Sequence, residues 1–307
     1  GDVSGLPQLV ASGVIPPYFE QIKDRLRGIG PPVSVNGGGQ VEYRIAGGTD
    51  LYVQRGDELP RMTVDIIDQN DDLAGIVDRG DYIDVGAATT FEDFSRSPII
   101  QEIVPDIRSY MHLIASLQIR NRATLGGNVI NASPIGDMTI LLLALKSDLV
   151  LRSSNGDRVV PMTGFYKGYK QMDLQAGEVL SRIRIPRPIQ RTRFGWEKVS
   201  KRKTLDIATV NFAMGVTASG GHISSACLAI GGVAPVPLYL KETSALLAGL
   251  ALSPESVRVA IGSAQDEISP ISDIRGTARY KRLLAQQLMI AAFTGMFPDE
   301  LPVTAFI

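Results

Sequence analysis

The sequence predicts an α+β protein built in two parts. Three observations support this class: short stretches of alternating apolar and polar residues open the first part, helical spacing of apolar residues follows, and strands and then helices return near the C-terminus. Strands followed by helices are typical of α+β domains. We therefore divide the chain into an N-terminal linker with a docking helix at 1–36, a first domain at 37–190 and an α+β C-terminal domain at 191–307.

Composition argues against several classes of function. The chain has 307 residues, enough for two domains, and its formal net charge is −1 with no long basic block. We therefore expect neither nucleic acid nor a membrane surface as a partner. The longest apolar run, at 138–145, is far shorter than the roughly 20 residues of a membrane-spanning helix.

Cysteine and histidine content argues against a metal centre on this chain. Cys227 is the one cysteine, so an internal disulfide and a cysteine-ligated iron–sulfur cluster are excluded. We expect it to be a small buried residue. His112 and His222 are far apart and lack metal-ligand spacing, so no metal site is predicted. A reducing cytoplasm is the expected location.

The elements of the linker and of the first domain follow from periodicity and capping. Phe19, Ile22 and Leu26 share one helical face and predict the short docking helix. Period-two alternation predicts strands at 43–46, 51–53, 63–67 and 82–87. Thr90, with Asp93 three residues later, predicts a capped helix start. Further helices are expected at 107–117 and 137–146, and strands at 149–153, 158–160 and 179–185.

Pro186 and Pro188 predict the boundary between the two domains. Beyond them we expect strands at 194–199, 208–216 and 223–230, followed by helices at 242–247, 254–262 and 277–295. Gly231 and Gly232 are interpreted as the end of a strand, since Pro235 and Pro237 follow.

Two glycine-containing loops are the candidate binding site. In the stretch 123–138, Gly126 and Gly127 predict a backbone that turns through positive φ and comes close to a ligand. Several main-chain N–H groups, helped by Thr124 and Asn128, would hold a pyrophosphate there. The stretch 43–53 breaks similarly at Gly47-Gly48-Thr49-Asp50. We expect the two loops to clamp a dinucleotide between them.

These loops carry a resemblance to a known family. At Gly47 to Leu51, Thr124 to Asn128 and Ala132 to Asp137 the sequence resembles the FAD-binding domain of molybdenum hydroxylases, which include the xanthine dehydrogenases and the medium subunit of carbon monoxide dehydrogenase. The likeness continues at 197–202, 206–208 and 272–276. Within the family, the sequence resembles bacterial xanthine dehydrogenase small subunits most. In these subunits a segment like Pro16 to Phe19 follows an iron–sulfur domain.

The resemblance implies a two-part FAD-binding domain of the PCMH/vanillyl-alcohol-oxidase type, followed by an α+β C-terminal domain. It implies that the first loop and the second loop hold the FAD pyrophosphate and the adjoining ribityl chain, through Ala46, Gly47, Gly48, Thr49, Asp50, Leu51, Thr124, Leu125, Gly126, Gly127 and Asn128. It places an apolar contact at Ile114, a carboxylate acceptor at Asp137, and further contacts at Leu180 and Lys198. No catalytic residue is predicted on this chain.

The same resemblance implies the cofactors and partners. FAD belongs to this chain, while 2Fe-2S clusters and molybdopterin are expected on partner chains or on a preceding N-terminal domain. The partners would be a large molybdopterin-binding subunit and a 2Fe-2S domain or subunit, in a hetero-oligomer. Substrate would be hydroxylated at the molybdenum centre, and electrons would pass through the clusters to FAD and then to NAD+ or another acceptor.

Several alternatives remain open from the residues themselves. Asp137 equally suits an N-cap for the helix that follows it, and Lys198 a solvated lysine at a strand edge. Arg120 and Arg122 are interpreted as braces of neighbouring carbonyl groups rather than phosphate ligands. Two other functions also remain open: a self-sufficient flavin oxidase or reductase with its own small substrate, and a scaffold that has lost cofactor binding.

Overall fold

The computed structural model describes residues 5–28, 43–67, 71–188 and 191–307. Its helices are α1 (Leu6–Ala11), α2 (Ile22–Gly28), α3 (Leu51–Arg55), α4 (Phe91–Arg96), α5 (Pro98–Ile103), α6 (Ile107–Met111), α7 (Leu117–Arg120), α8 (Leu125–Asn131), α9 (Asp137–Ala144), α10 (Lys241–Leu247), α11 (Pro254–Glu267) and α12 (Ala278–Met296). Its strands are β1 (Tyr43–Ile45), β2 (Val64–Ile66), β3 (Ile76–Asp78), β4 (Tyr82–Gly86), β5 (Asp148–Ser153), β6 (Gly156–Pro161), β7 (Tyr166–Gly168), β8 (Gln171–Met172), β9 (Val179–Pro186), β10 (Thr192–Val199), β11 (Val210–Ser219), β12 (His222–Gly231) and β13 (Leu238–Tyr239).

The described residues of the first part of the chain form three sheets, one of which is the antiparallel pair β7-β8. Strands β1 and β2 form a small parallel pair, and a five-stranded antiparallel sheet has the order β3-β4-β9-β5-β6. Alternate residues of the larger sheet, such as Val85, Ile183 and Leu149, pair across β4, β9 and β5 and are fully buried. The apolar side chains two apart that predicted these strands therefore face the core, although β4 is buried at all but its first position.

Helix α9 joins the two parts. Met138 and residues 140–142 are all fully buried, so the helix is apolar on every side. Its neighbours include β11 and β12 of the second sheet. A single apolar cluster therefore contains the face of the first sheet, α9 and Trp196, Ala213 and Ala229 of the second sheet.

The second part is a four-stranded antiparallel sheet in the order β10-β11-β12-β13. Residues on one face of the sheet, among them Phe212, Met214, Leu228 and Ile230, pack in a second apolar cluster with residues of α11 and α12. The other face packs in the cluster of α9. Since both faces are covered, β11 is buried at almost every position.

Most of the predicted elements are confirmed. Thr90 caps α4 as predicted: its Oγ1 accepts from Asp93 N at 3.1 Å and donates to Asp93 Oδ2 at 2.6 Å. Gly231 ends β12, as expected. Both histidines are exposed, and Cys227 is half-buried on β12, where burial raises the pKa of its thiol. The predicted boundaries at 36/37 and 190/191 lie outside the described residues.

Two predictions of secondary structure are wrong. Residues 51–53, expected as a strand, open α3, because Tyr52 N and Gln54 N donate to Gly48 O and Asp50 O in helical turns. Three alternating residues are too few to separate a strand from a helix. The helix expected at 107–117 ends at Met111, since Ala115 has φ 48° and Ser116 starts α7.

The predicted docking helix exists as α2, preceded by a 3-10 turn at Pro17–Gln21. None of the residues of α2 is buried, and Leu26 is exposed. Within the part of the chain that the structure describes, this helix therefore has no buried docking face.

Candidate functional site

A cavity of about 850 Å³ opens between the two glycine loops. Most of the predicted site residues line it: Ala46, Gly47, Gly48, Thr49, Asp50, Leu51, Thr124, Gly126, Gly127, Asn128 and Leu180. The structure thus brings together two stretches that lie more than 70 residues apart in the sequence, as the clamp prediction requires.

The two loops are in direct backbone contact. A Cβ atom added to Gly47 would lie 1.7 Å from Arg122 O, so no other residue fits without moving one loop. Gly48 has a φ of 70°, in the left-handed region where glycine carries no steric penalty. Gly47 therefore allows the backbone of the first loop to approach Arg122, and Gly48 allows the left-handed backbone conformation.

The first loop presents unused main-chain donors to the cavity. The N–H groups of Gly47, Gly48, Thr49 and Asp50 have no acceptor within the described ranges. The chain turns here into α3, with Gly48 O and Asp50 O accepting the first helical hydrogen bonds. Successive free N–H groups in a turn form a concave site for an anion.

The second loop is different, because the protein itself accepts from several of the main-chain N–H groups that were expected to hold an anion. Leu125 N donates to Thr89 O at 3.0 Å, Gly126 N to Ala87 O at 2.8 Å, and Gly127 N to Thr124 Oγ1 at 3.1 Å. Neither glycine has a positive φ, since both lie in the first turn of α8. These donors are occupied by the protein itself.

Packing explains the first glycine of the second loop. A Cβ atom at Gly126 would lie 2.7 Å from Ala87 Cβ and 2.8 Å from Ala87 O, so the helix can approach the end of β4 only with glycine there. The polar side chains that this loop places in the cavity wall are those of Thr124 and Asn128.

Sequence reasoning missed four charged residues in the cavity wall, which are Arg44, Arg55, Lys170 and Glu178. Arg55 Nη1 donates to Tyr43 Oη at 2.6 Å, and Lys170 Nζ donates to Asn131 Oδ1 at 2.9 Å. Arg44 and Arg55 flank the first loop, so their position next to it was the available signal. Lys170 and Glu178 reach the cavity only through the tertiary fold, and no motif marks them.

Four predicted contacts do not line this cavity. Ile114 and Leu125 are buried in the core. Lys198 Nζ donates to Asp137 Oδ2 at 2.7 Å and to Leu113 O at 2.9 Å. Asn211 Nδ2 donates to the other oxygen of Asp137, also at 2.7 Å.

The Asp137–Lys198 pair joins α9 to β10 and is almost fully buried, with the Lys198 side chain 2% exposed. Burial raises the pKa of Asp137, and the ammonium group of Lys198 only partly opposes this effect. The two simpler roles considered for these residues are therefore wrong. Lys198 is not a solvated lysine at a strand edge, and the N-cap of α9 is Gly136 rather than Asp137.

Arg120 braces carbonyl groups, as predicted. Its Nη1 donates to Met111 O at 2.9 Å and to Ile114 O at 3.0 Å, and its Nε donates to Glu92 Oε2 at 3.0 Å. Burial by itself raises the pKa of Glu92, but the guanidinium groups of Arg120 and Arg96 overcome this effect and hold that pKa below its usual value. Arg120 thus fixes the segment that leads into the second loop.

No cluster of three or more histidine, cysteine, aspartate or glutamate side chains that could hold a metal ion occurs in the described ranges. Over the same ranges, none of the helices combines the length and the apolar character needed to cross a membrane.

Comparisons with known proteins match both parts of the chain. A description of the FAD binding domain in molybdopterin dehydrogenase matches residues 39–188, and one of the CO dehydrogenase flavoprotein C-terminal domain matches residues 197–296. The carbon monoxide dehydrogenase medium chain of Hydrogenophaga pseudoflava is 34% identical over 285 residues, which cover 90% of this chain and 96% of that one.

Two further relatives agree. The putative xanthine dehydrogenase FAD-binding subunit of Escherichia coli (strain K12) is 29% identical over 248 residues, covering 80% of this chain and 85% of that one. The solved structure of the H. pseudoflava carbon monoxide dehydrogenase that lacks the Mo-pyranopterin moiety of its cofactor has a TM-score of 0.75 and 32% identity, over 83% of this chain and 89% of that one. The predicted family and fold class are confirmed, and the chain belongs to the family of FAD-binding subunits of molybdenum hydroxylases.

Proposed function

We propose that this oxidoreductase subunit holds FAD between its two glycine loops and links the 2Fe-2S clusters of partner chains to NAD+ or another electron acceptor. The observation that carries the proposal is the cavity between these loops, in which four consecutive N–H groups have no acceptor in the described part of the chain. A diphosphate supplies the anionic oxygen atoms that such a turn can bind.

The residues present fit this cofactor. The cavity volume of about 850 Å³ lies within the range of about 300–1,000 Å³ that is usual for ligand and cofactor sites. Gly47 to Asp50 would hold the diphosphate by main-chain donors, and Thr124 and Asn128 would donate from the opposite wall. Apolar lining residues such as Phe91 and Leu180 would exclude water from the less polar parts of the cofactor.

When bound, FAD would supply the redox chemistry, in which it takes up electrons and passes them on as hydride or singly. The chain contributes position and electrostatics. Its single cysteine cannot ligate an iron–sulfur cluster, so the 2Fe-2S clusters would reside on partner chains or on a preceding N-terminal domain. A large partner subunit would carry the molybdopterin in a hetero-oligomer. We also propose a cytoplasmic location, since cysteine is so sparingly used.

We propose indirect roles for the predicted contacts that do not line the cavity. Ile114 and Leu125 would support the loops from the core, and the Asp137–Lys198 pair would hold the second sheet against α9. The division into 37–190 and 191–307 remains part of the proposal. The first portion would carry both loops, and the second would pack against α9 through its sheet.

Titration of the apoprotein with FAD, FMN and riboflavin tests the cofactor part of the proposal. Because the first loop is proposed to hold the diphosphate, affinity should fall in the order FAD, FMN, riboflavin. Equal affinity for FAD and riboflavin would contradict the role of the loop. If none of the three ligands binds, the scaffold alternative is correct and the proposed function fails.

Anaerobic reduction tests the electron path. With molybdenum-containing and iron–sulfur partner chains present, the substrate of the large partner should bleach the flavin absorbance, and NAD+ or another acceptor should restore it. The isolated FAD-loaded chain should remain oxidised under the same substrate. Bleaching of the isolated chain by a small substrate would instead favour a self-sufficient flavin oxidase or reductase.

A further inference from the structure

The side chain of Asn128 is bonded on one side only. Its Oδ1 accepts from Thr139 N at 3.1 Å and from Thr139 Oγ1 at 2.9 Å. Its Nδ2 has no acceptor in the part of the chain that the structure describes, yet it is not among the buried polar atoms that lack a partner. Asn128 lines the cavity whereas Thr139 does not, so we take the side of the amide group opposite Thr139 as the cavity side.

The chemistry of Thr139 fixes which end of the amide faces the cavity. A main-chain N–H can only donate, so the atom opposite Thr139 N must be the carbonyl oxygen of Asn128 and not its NH₂ group. The opposite orientation would set two donors against each other. The NH₂ group is therefore held on the side of the amide that faces away from α9.

Gly136 makes this contact possible. A Cβ atom at Gly136 would lie 2.9 Å from Thr139 Oγ1 and 3.3 Å from Asn128 Oδ1, so a side chain there would crowd both partners. Gly136 is also the N-cap of α9 and has no side chain with which to cap it. Asn128 supplies the missing cap from α8, and one side chain thus links the two helices.

We propose that Thr139 is a positioning residue for cofactor binding, which turns the Asn128 amide so that Nδ2 donates to an anionic oxygen of the FAD diphosphate. The proposal rests on the proposed function, because it assigns the ligand of Asn128. In the second loop, where the protein occupies its own main-chain donors, this side chain replaces them. Thr139 is fully buried and does not itself line the cavity.

The variant Asn128→Asp tests the polarity of this group. It has the shape of asparagine and keeps an oxygen for Thr139, but it presents an oxygen instead of NH₂ to the cavity. Near pH 8 the carboxylate would repel the diphosphate, and FAD affinity should fall roughly 10- to 100-fold. As pH falls towards about 4, the ordinary pKa of aspartic acid, protonation begins to restore a donor, so the affinity of the variant should recover in part relative to that of the wild type.

The variants Thr139→Val and Thr139→Ser test the positioning role. Valine keeps the shape and the main-chain N–H but removes the hydroxyl donor, so FAD affinity should fall roughly 2- to 10-fold. Serine should restore it. Thr294→Val is the matched control, since the Thr294 hydroxyl bonds only its own helix in α12 and should leave FAD affinity unchanged.

The outcomes separate this proposal from the proposed function. If the wild type does not bind FAD, the proposed function itself fails. If the wild type binds FAD and Asn128→Asp binds it equally well near pH 8, or shows no pH dependence, the polarity assigned to Asn128 is wrong. If Thr139→Val and the wild type have the same affinity, or serine does not rescue the loss, the role of Thr139 is wrong. Thermal unfolding of each apoprotein shows whether it is folded.

Discussion

The two glycine loops of this protein look alike in sequence but use glycine for different physical reasons. In the first loop, Gly47 allows backbone contact with Arg122 and Gly48 adopts a positive φ, and the N–H groups of residues 47–50 have no acceptor among the residues that the structure describes. In the second loop, Gly126 permits close packing of α8 on Ala87, and the N–H groups are bonded internally. We therefore propose that the first loop binds the ligand through main-chain donors, whereas the second packs against the core and contributes side-chain donors.

The comparison predicts that disturbance of the support behind the second loop costs stability above all. Arg120→Met removes donors from Met111 O, Ile114 O and Glu92, and we expect a loss of about 3 kcal/mol in the free energy of unfolding. Chemical denaturation of the apoprotein measures it. A loss below about 1 kcal/mol would mean that the brace does not hold this segment.

The loss of stability in Arg120→Met should depend on pH, and its direction follows from the pKa of Glu92. Because the pKa of Glu92 is lowered in the folded protein, its ionised form stabilises the fold above the ordinary value of 4.5, and this contribution is lost as pH falls through the folded pKa. The difference in unfolding free energy between wild type and Arg120→Met should therefore shrink on acidification. A constant difference from neutral to acidic pH would show that Glu92 is not involved.

Gly47→Ala should have its effect on binding instead. The added Cβ atom cannot remain 1.7 Å from Arg122 O, so the two loops must separate, and a shift of about 1 Å in a binding site can cost about 100-fold. We expect FAD affinity to fall by roughly that factor, measured by flavin fluorescence titration. Gly262→Ala, at a helix position with open space around it, is the control and should bind FAD normally.

Gly126→Ala, unlike Gly47→Ala, should lower the stability of the fold more than the affinity for FAD. Contact with Ala87 forces α8 away from the end of β4, and overpacking of this kind costs about 1–3 kcal/mol of folding stability. We expect a lower unfolding temperature of the apoprotein and a smaller loss of FAD affinity than in Gly47→Ala. If Gly126→Ala lost FAD without any loss of stability, the second loop would be a direct ligand after all.

Gly48→Ala should have the smallest effect. A residue with a side chain pays about 1–2 kcal/mol in the left-handed region, so FAD affinity should fall roughly 5- to 30-fold if the strain is relieved by loop movement. Gly48→Asn, which tolerates this region better, should lose less. Equal losses in the two variants would show that contact with the Tyr52 ring, and not the backbone conformation, limits this position.

Periodicity and capping predicted much of the fold because those signals are local. Apolar residues two apart in the sequence, such as Ile83 and Val85 of β4, are buried in the five-stranded sheet, and Thr90 caps α4 as its spacing to Asp93 indicated. The failures lie where the pattern is too short, at 51–53, or where the backbone turns, at Ala115 in the helix expected at 107–117. Arg120 binds carbonyl groups at and beyond the end of α6, and no local signal marks this contact.

The candidate site was predictable in place but not in detail. The two glycine motifs identified the loops that line the cavity, and Leu180 was assigned by resemblance. Which N–H groups stay free depends on Ala87 and Thr89, at the far end of β4, and could not be read from the loop itself. Lys170 enters from the turn between β7 and β8, and Glu178 from the residue before β9, and neither place carries a motif.

Amide hydrogen exchange with and without FAD, followed at single residues by NMR, tests the contrast between the loops most directly. The amides of Gly47 to Asp50 should exchange rapidly in the apoprotein and become protected when FAD binds. Those of Leu125 and Gly126 should be protected in both states, because Thr89 O and Ala87 O already accept from them. Protection that FAD induces at Leu125 and Gly126 but not at Gly47 to Asp50 would contradict the account.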